Sequence, residues 1–499
     1  MKLSFLAVVA VCAASCLGAS TWKPPSVDRS ANRVKTTLNV GLERIGTLVQ
    51  RSVSEIGESG FMVGCETLDR GFADFEAYKD YLPPLGISKI RIQAGWARCE
   101  KEKGVFDFAW LDKIVDWSVA NGLQPMMCVV FGNPLYCGDE SQHLHADMPH
   151  EGEAWAAYQR WVMRLTEHFG SRVRDWETWN EPNNNPNNTP EIIVKNNIFT
   201  AETILKHRPD ARITGICIGL RDWKNVLPRI LQLLQASGKS GLFTYFACHR
   251  YTPSPELDVE DYEWQLGLMR QYAPTVKLRD SEGGAPSQML PKFGFSRWAF
   301  TEISQAKWNM RRLLVDHSLG LDAPVFGISD MHYRSKRDTF NNAKGLLRTN
   351  DRNEVIQIKK AYYAVQHVAS VFDRTLVKVP SDTSAFRNHD AAIWFDEYRN
   401  AEGRAVLAFW EHEKRFTRDG HRLEIEHPQP SDSCVTRTFT FDGSGRRLEH
   451  PVWVDLLTGA VYEFPAENQI EHACGITFVN VPVYDSPCLL AERAALKFQ

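Results

Sequence analysis

Two glutamates stand where they could break a bond between them. Glu181 closes an apolar run that ends Trp179-Asn180-Glu181-Pro182, and Glu282 closes another that ends Asp280-Ser281-Glu282-Gly283-Gly284. A solitary glutamate in a loop is ordinarily a solvated charge. Glu181 differs because the apolar text stops at it, and Pro182 disfavours α geometry in the residue before it. Two carboxyls aimed into one cleft can divide the work. One stays protonated and delivers a proton to a leaving oxygen; the other stays ionised and attacks carbon or activates water. Like charges held close raise one of the two pKa values, which keeps the acid protonated near neutral pH. Cleavage of an O-glycosidic bond requires such a pair.

The pair needs a scaffold that presents both carboxyls on one face. From Ile56 to about Asp373 short apolar runs alternate with longer segments of helical period, the pattern of βα units and a parallel sheet. The runs are Phe61–Cys65, Lys89–Gln93, Pro125–Phe131, Val173–Trp179, Ile213–Ile218, Phe243–His249, Val276–Ser281 and Val325–Ser329. Trp110–Trp117, Trp155–Phe169, Trp298–Leu314 and Val355–Phe372 carry apolar residues at helical spacing. Eight units in this length predict an α/β fold, a (β/α)8 TIM barrel, whose sites lie at the C-terminal ends of the strands. Run four then delivers Glu181 and run seven Glu282. Glu302, a competitor for the second role, falls inside Trp298–Leu314 and reads as a helix surface charge.

Trp179-Asn180-Glu181-Pro182-Asn183 resembles the acid/base motif of the retaining glycosidases of clan A, and in particular glycoside hydrolase family 39 and its neighbours, which include β-xylosidases and α-L-iduronidases. The resemblance implies that Glu181 is the acid/base, Glu282 the nucleophile, and Asn180 the contact to the sugar 2-hydroxyl. It also implies roles for Arg91, His249 and Tyr251. Arg91, in Arg91-Ile92-Gln93-Ala94-Gly95-Trp96, would lie near the nucleophile and help it stay ionised, as a guanidinium beside a carboxylate does. His249 would bind substrate and Tyr251 would donate to the nucleophile. Position at the ends of runs adds further candidates for lining a sugar pocket: Glu66 with Asp69 and Arg70, Asn133 with Tyr136, Trp179, and Asp330 with His332. Two departures bear on the sugar more than on the reaction. The seventh motif is Ser-Glu-Gly-Gly rather than Thr-Glu followed by an aromatic residue or Asn, and the eighth run lacks a Trp often found there.

Beyond Arg374 the rhythm changes. Ala391–Phe395, Ala405–Trp410 and Thr438–Phe441 are strand-like and separated by turn signals, including Asp442-Gly443-Ser444-Gly445, which predicts an all-β sandwich. The expected organisation is therefore an export signal at 1–19, an N-terminal segment at 20–55 packing on the sandwich through strands such as Arg33–Leu38, the barrel at 56–373, and the sandwich at 374–499. The signal reading rests on Lys2, the apolar run Leu3–Ala14 and the small residues after it. It predicts a secreted or otherwise extracytoplasmic protein. Lipid anchoring through Cys16 is disfavoured, because Ala13 stands where a larger aliphatic residue is expected.

Lysine plus arginine (58) nearly balances aspartate plus glutamate (61), which argues against nucleic acid or an acidic membrane surface as a partner. No cofactor is implied, and no cysteine or histidine spacing suggests a metal site. Cys434 and Cys474 are a candidate bridge. The expected partner is a carbohydrate, cleaved by double displacement. A carbohydrate-binding pseudoenzyme on the same barrel, an inverting hydrolase or transglycosidase, and a structural envelope protein stay open. Oligomeric state, sugar, linkage and exo or endo action are not legible.

Overall fold

The computed structural model describes residues 38–336, 338–387, 390–412, 435–442 and 448–499. The export signal, residues 33–37, the turn at 443–445 and Cys434 lie outside the described residues.

Eight parallel strands follow one another around a barrel. They are β1 (Phe61–Gly64), β2 (Lys89–Gln93), β3 (Gln124–Cys128), β4 (Asp175–Glu177), β5 (Arg212–Ile218), β6 (Tyr245–His249), β7 (Lys277–Glu282) and β8 (Ala323–Val325). Each pairs with its sequence neighbour from β1 to β7, and β8 returns beside β1. The Asp280 N–H donates to the Asp322 carbonyl at 3.1 Å, which links β7 to the chain entering β8. This is the expected (β/α)8 barrel.

The strands present branched and aromatic side chains outward to the helices, so the barrel interior can hold polar residues, provided that they are paired. At the N-terminal end Asp322 accepts from Lys89 at 3.1 Å and from Arg279 at 2.5 Å. Asp175 pairs with Arg212 at 2.6 Å. At the C-terminal end the interior is occupied by Arg91, Glu177 and His249, each essentially without solvent exposure.

Three expected elements change. The eighth barrel strand is Ala323–Val325, while Gly327–Ser329 leaves the barrel and pairs in parallel with Gly345–Thr349 in a separate three-stranded sheet. Val355–Ile358 is not the start of a helix but the third strand of that sheet, antiparallel to Gly345–Thr349; the helix runs Lys360–Val371. Alternating burial over Val355–Ile358 mimics one helical turn in so short a run, and cross-strand pairing decides it. The helix Glu302–Ser318, expected to be amphipathic, is buried on every side except at Glu302 and His317. It lies between the barrel and the C-terminal sheets, where its charged residues are paired: Lys307 with Asp485 at 2.6 Å, Arg311 with Glu256 at 2.7 Å, and Arg312 with Asp258. Trp410 of the C-terminal region donates to the same Glu256 at 2.7 Å.

The described residues of the C-terminal region form two sheets. The seven-stranded one runs Arg44–Thr47, Ala460–Glu463, Pro451–Asp455, Cys488–Glu492, Ala405–Glu411, Ile393–Arg399, Val377–Lys378. Its first strand comes from before the barrel and pairs antiparallel with Ala460–Glu463. The four-stranded sheet is Phe386–Arg387, Val435–Asp442, Gly475–Val483 and Gln469–His472. The period of two along a strand divides the large sheet cleanly. Val406, Ala408, Trp410, Val452, Val454, Leu489 and Ala491 join the barrel's core, whereas Leu407, Phe409, Trp453 and Leu490 face the second sheet.

Phe409 packs on Phe439 with ring centroids 5.0 Å apart and has no exposure. We expect Phe409→Ala to lower unfolding free energy by about 3–5 kcal/mol. Val377→Ala, on the exposed end strand of the large sheet, should stay within about 0.5 kcal/mol. Urea unfolding monitored by tryptophan fluorescence checks both.

Candidate active site

The C-terminal strand ends open into a cavity of about 770 Å³. Glu181 and Glu282 both line it. One carboxylate oxygen of Glu181, one of Glu282 and a ring nitrogen of His249 all lie within 4.8 Å of one another.

Glu181 follows β4 with φ 46° and ψ 52°, a left-handed conformation that a non-glycine residue adopts at a cost of about 1–2 kcal/mol. The turn Pro182–Asn184 that follows holds it there. Asn183 clamps this turn to the end of β5, accepting from the Gly219 N–H at 2.9 Å and donating to the Gly219 carbonyl at 2.8 Å. The glutamate side chain lies over Gly219, where a Cβ would approach its carboxyl carbon to 2.8 Å, so the space exists only because residue 219 is glycine. Glu181 Oε2 accepts from Asn184 Nδ2 at 2.6 Å and Oε1 faces His249 Nδ1 at 2.8 Å.

Glu282 ends β7. Its Oε1 accepts from the Tyr251 hydroxyl at 2.6 Å, and its Oε2 accepts from Arg91 Nη1 at 3.0 Å and lies 3.8 Å from His249 Nδ1. Burial pushes this carboxyl up, but His249, Arg91, the Tyr251 hydrogen bond and the Lys344 ammonium together hold it below the ordinary glutamate value. Glu282 is therefore ionised at neutral pH.

Arg91 is the hub. It also pairs with Glu66 through Nη1, with Glu177 through Nε at 3.0 Å and Nη2 at 2.5 Å, and with the Asn180 oxygen through Nη2 at 2.6 Å. With its oxygen taken, Asn180 keeps its NH2 for a ligand in the cavity it lines. Burial pushes Glu177 up, but Arg91 and His249 hold it below the ordinary value. Glu66 goes the other way. Burial, against the pull of Arg91 and with the repulsion of Glu282, pushes it up to about 7.

His249 has no solvent exposure. Its Nε2 meets Ser281 Oγ at 3.1 Å and Cys217 Sγ at 3.0 Å. Burial would lower its pKa; Cys217, Glu282 and Glu181 raise it well above the ordinary value. The Cys217 thiol is itself pushed up by burial and so neutral at neutral pH.

No protein-family model and no curated protein matches the chain. Solved structures do match. A family 39 glycoside hydrolase from Bacteroides cellulosilyticus is 14% identical with a TM-score of 0.59, covering 87% of this chain and 81% of that one. A monomeric β-xylosidase from Caulobacter crescentus is 14% identical with a TM-score of 0.57, covering 90% and 97%. The catalytic domain of a family 30 xylanase C from Talaromyces cellulolyticus is 12% identical with a TM-score of 0.55, covering 90% and 98%. The chain shares their fold.

Of the residues expected from the sequence, the structure gathers Glu181, Glu282, Asn180, Arg91, His249, Tyr251, Glu66 and Arg70 at this one site. Asp69, Tyr136 and His332 do not line the cavity, and three more lie elsewhere. Asn133 is fully buried and spends its side chain on Leu135 N–H and the Glu100 carbonyl, capping the helix Pro134–Cys137. Trp179 packs against Phe131 and Tyr158 in the core. Asp330 is buried against Lys359 at 2.6 Å and is not a cavity wall. In each case the residue is at a strand end, but its side chain points into protein. Glu302 begins its helix and pairs with Arg348 at 2.8 Å, away from the cavity. Four residues escaped the sequence reading: Glu177, Cys217, Ser281 and Lys344. The first three sit within strands at positions that read as core. Lys344 follows a hairpin that no period announced.

The raised Glu66 makes a pH prediction. Its native pKa lies above the unfolded value of 4.5, so the native state binds the extra proton and stability falls as pH rises from about 4.5 to about 7. Glu66→Gln lacks that decline. Thermal unfolding of both proteins at pH 4.5 and 7.5 should show wild type losing ground to the variant at the higher pH.

Proposed function

We propose that this protein is a retaining glycoside hydrolase, with Glu282 as nucleophile and Glu181 as acid/base. The observation that carries the reading is the spacing of the two carboxylates. Retaining enzymes hold them about 5–5.5 Å apart, whereas inverting enzymes leave roughly 6.5–9.5 Å for an intervening water. Oxygens within 4.8 Å of each other support the first arrangement. The electrostatics support the role of Glu282. Glu282 is held ionised by Arg91, His249 and Tyr251, as a nucleophile must be. Glu181 lies beside it in the same cavity, with Asn184 and His249 orienting its two oxygens. The names of the similar structures, a β-xylosidase and a xylanase among them, point the same way.

In this reading a Glu282 oxygen attacks the anomeric carbon while Glu181 protonates the departing oxygen. Water then opens the glycosyl ester, and Glu181 removes its proton. The Asn180 NH2, oriented by Arg91, is placed to donate to the sugar 2-hydroxyl. Tyr251 keeps one Glu282 oxygen occupied, so the other is the attacking atom once it leaves Arg91. Residues 56–373 form the catalytic unit, and 374–499, with the strand Arg44–Thr47, buttress it. Secretion belongs to the same proposal, resting on the N-terminal sequence alone. Among the described residues no helix is long and apolar enough to cross a membrane.

Glu181→Gln should lower kcat on glycosides with poor leaving groups by about 10²–10⁴-fold. Proton NMR of the first product anomer tests the stereochemistry: retention is expected, and inversion would reassign Glu282 to a base. Tyr251→Phe removes one of the bonds that hold Glu282 ionised. The acid limb of its kcat/KM profile should move to higher pH, with kcat/KM at the optimum reduced about tenfold to a hundredfold.

A further inference from the structure

Among the described residues, four lysines are almost wholly buried: Lys89, Lys307, Lys344 and Lys359. Three of them end on a carboxylate, Lys89 on Asp322 at 3.1 Å, Lys307 on Asp485 at 2.6 Å and Lys359 on Asp330 at 2.6 Å. Lys344, 2% exposed, has no acceptor for its ammonium among the described residues. Its Nζ lies instead 4.5 Å from the Tyr251 ring centroid and 4.9 Å from that of Phe326. Both rings line the cavity together with Lys344 and Glu282. Ring contacts offset some of the lost hydration. They leave its three N–H donors without a protein oxygen among the described residues, on a side chain that lines the cavity.

The lysine is held in this position. It sits in the turn between the strands Thr339–Asn342 and Gly345–Thr349. On one side the Ala343 carbonyl accepts from the Ser287 N–H at 2.9 Å and from Lys359 Nζ at 3.2 Å. On the other, the Gly345 N–H donates to Asp330 at 3.1 Å, and a Cβ on residue 345 would stand 2.0 Å from the Ser329 carbonyl carbon. Asp330 and Lys359 thus act as the pin for the turn. Asn342, two residues earlier, also lines the cavity, and its carboxamide oxygen is buried without a donor. Burial draws the Lys344 ammonium down to about 8 against the pull of Glu282 and Glu181, so it is charged at neutral pH. Neither carboxylate takes it as a partner; the Glu282 oxygens are occupied by Tyr251 and Arg91.

We propose that Lys344 recognises an anionic substituent, a uronic acid carboxylate or a sulfate ester, on the sugar that sits beside Glu282. The position of that sugar rests on the glycosidase reading; the recognition itself does not require turnover. A charge-assisted bond from a fixed ammonium to an anion that enters with its own water shed is the interaction this wall lacks.

The test uses matched free sugars titrated calorimetrically into the wild-type protein: glucose, glucuronate and glucose 6-sulfate, and galactose, galacturonate and galactose 6-sulfate. In at least one series an anionic member should bind at least about tenfold more tightly than the neutral one. Which anion gains most identifies the source. Lys344→Met should abolish the difference and Lys344→Arg should keep some of it. Equal binding throughout each series, no binding of any sugar, or a difference that survives Lys344→Met would overturn the proposal. Aryl glycosides of the same series, assayed in parallel, separate the two readings. Turnover without preference for charge removes the Lys344 role and leaves the hydrolase. Tight anion binding without turnover of any glycoside does the reverse.

Discussion

One buried guanidinium organises the upper end of the barrel. Arg91 contacts Glu66, Glu177, Glu282 and Asn180, residues delivered by the ends of β1, β4 and β7. Three carboxylates around one cation cannot all be satisfied equally when they are this deeply buried. The divergence follows: Glu177 and Glu282 are held down, and Glu66 is pushed up. Removing the guanidinium would leave buried, uncompensated negative charge, so the position of Arg91 constrains every group above it.

His249, at the end of β6, complements that guanidinium. It lies below both Glu181 and Glu282 and is anchored from behind by Ser281 and Cys217. Between them, the guanidinium and the imidazole set the charge state of the site from beneath, while the cavity above is walled by loops. The strained backbone at Glu181 belongs to the same design. The Asn183 clamp and the absence of a side chain at Gly219 keep the glutamate aimed at its partner, where a relaxed strand end would aim it elsewhere.

The helix Glu302–Ser318 and the C-terminal sheets have a supporting role. The large sheet presents one face to the barrel and one to the smaller sheet, so its strands have no solvated face in the middle. This buttress fixes the loop after β7 and the turn at Ala343–Gly345, and with them the side of the cavity that carries Tyr251, Phe326 and Lys344.

Much of the barrel was legible because its strands are short apolar runs separated by helical periods, and because Glu181 and Glu282 fall where those runs stop. The Arg91–Tyr251–His249 set was legible through motif resemblance. Strand-end position alone was a weaker guide: it found Glu66, but it also chose Asn133, Trp179 and Asp330, since a run's end does not reveal which way a side chain turns. The sequence by itself determined the alternation of strands and helices and the two carboxylates, because periodicity and motif are local. Only the tertiary structure decided which residues share the Arg91 charge, that Val355–Ile358 is a strand, and that Lys344 reaches the cavity without a hydrogen-bond acceptor among the described residues. These depend on contacts between segments distant in the chain, and no local pattern encodes how buried charges compete for one another.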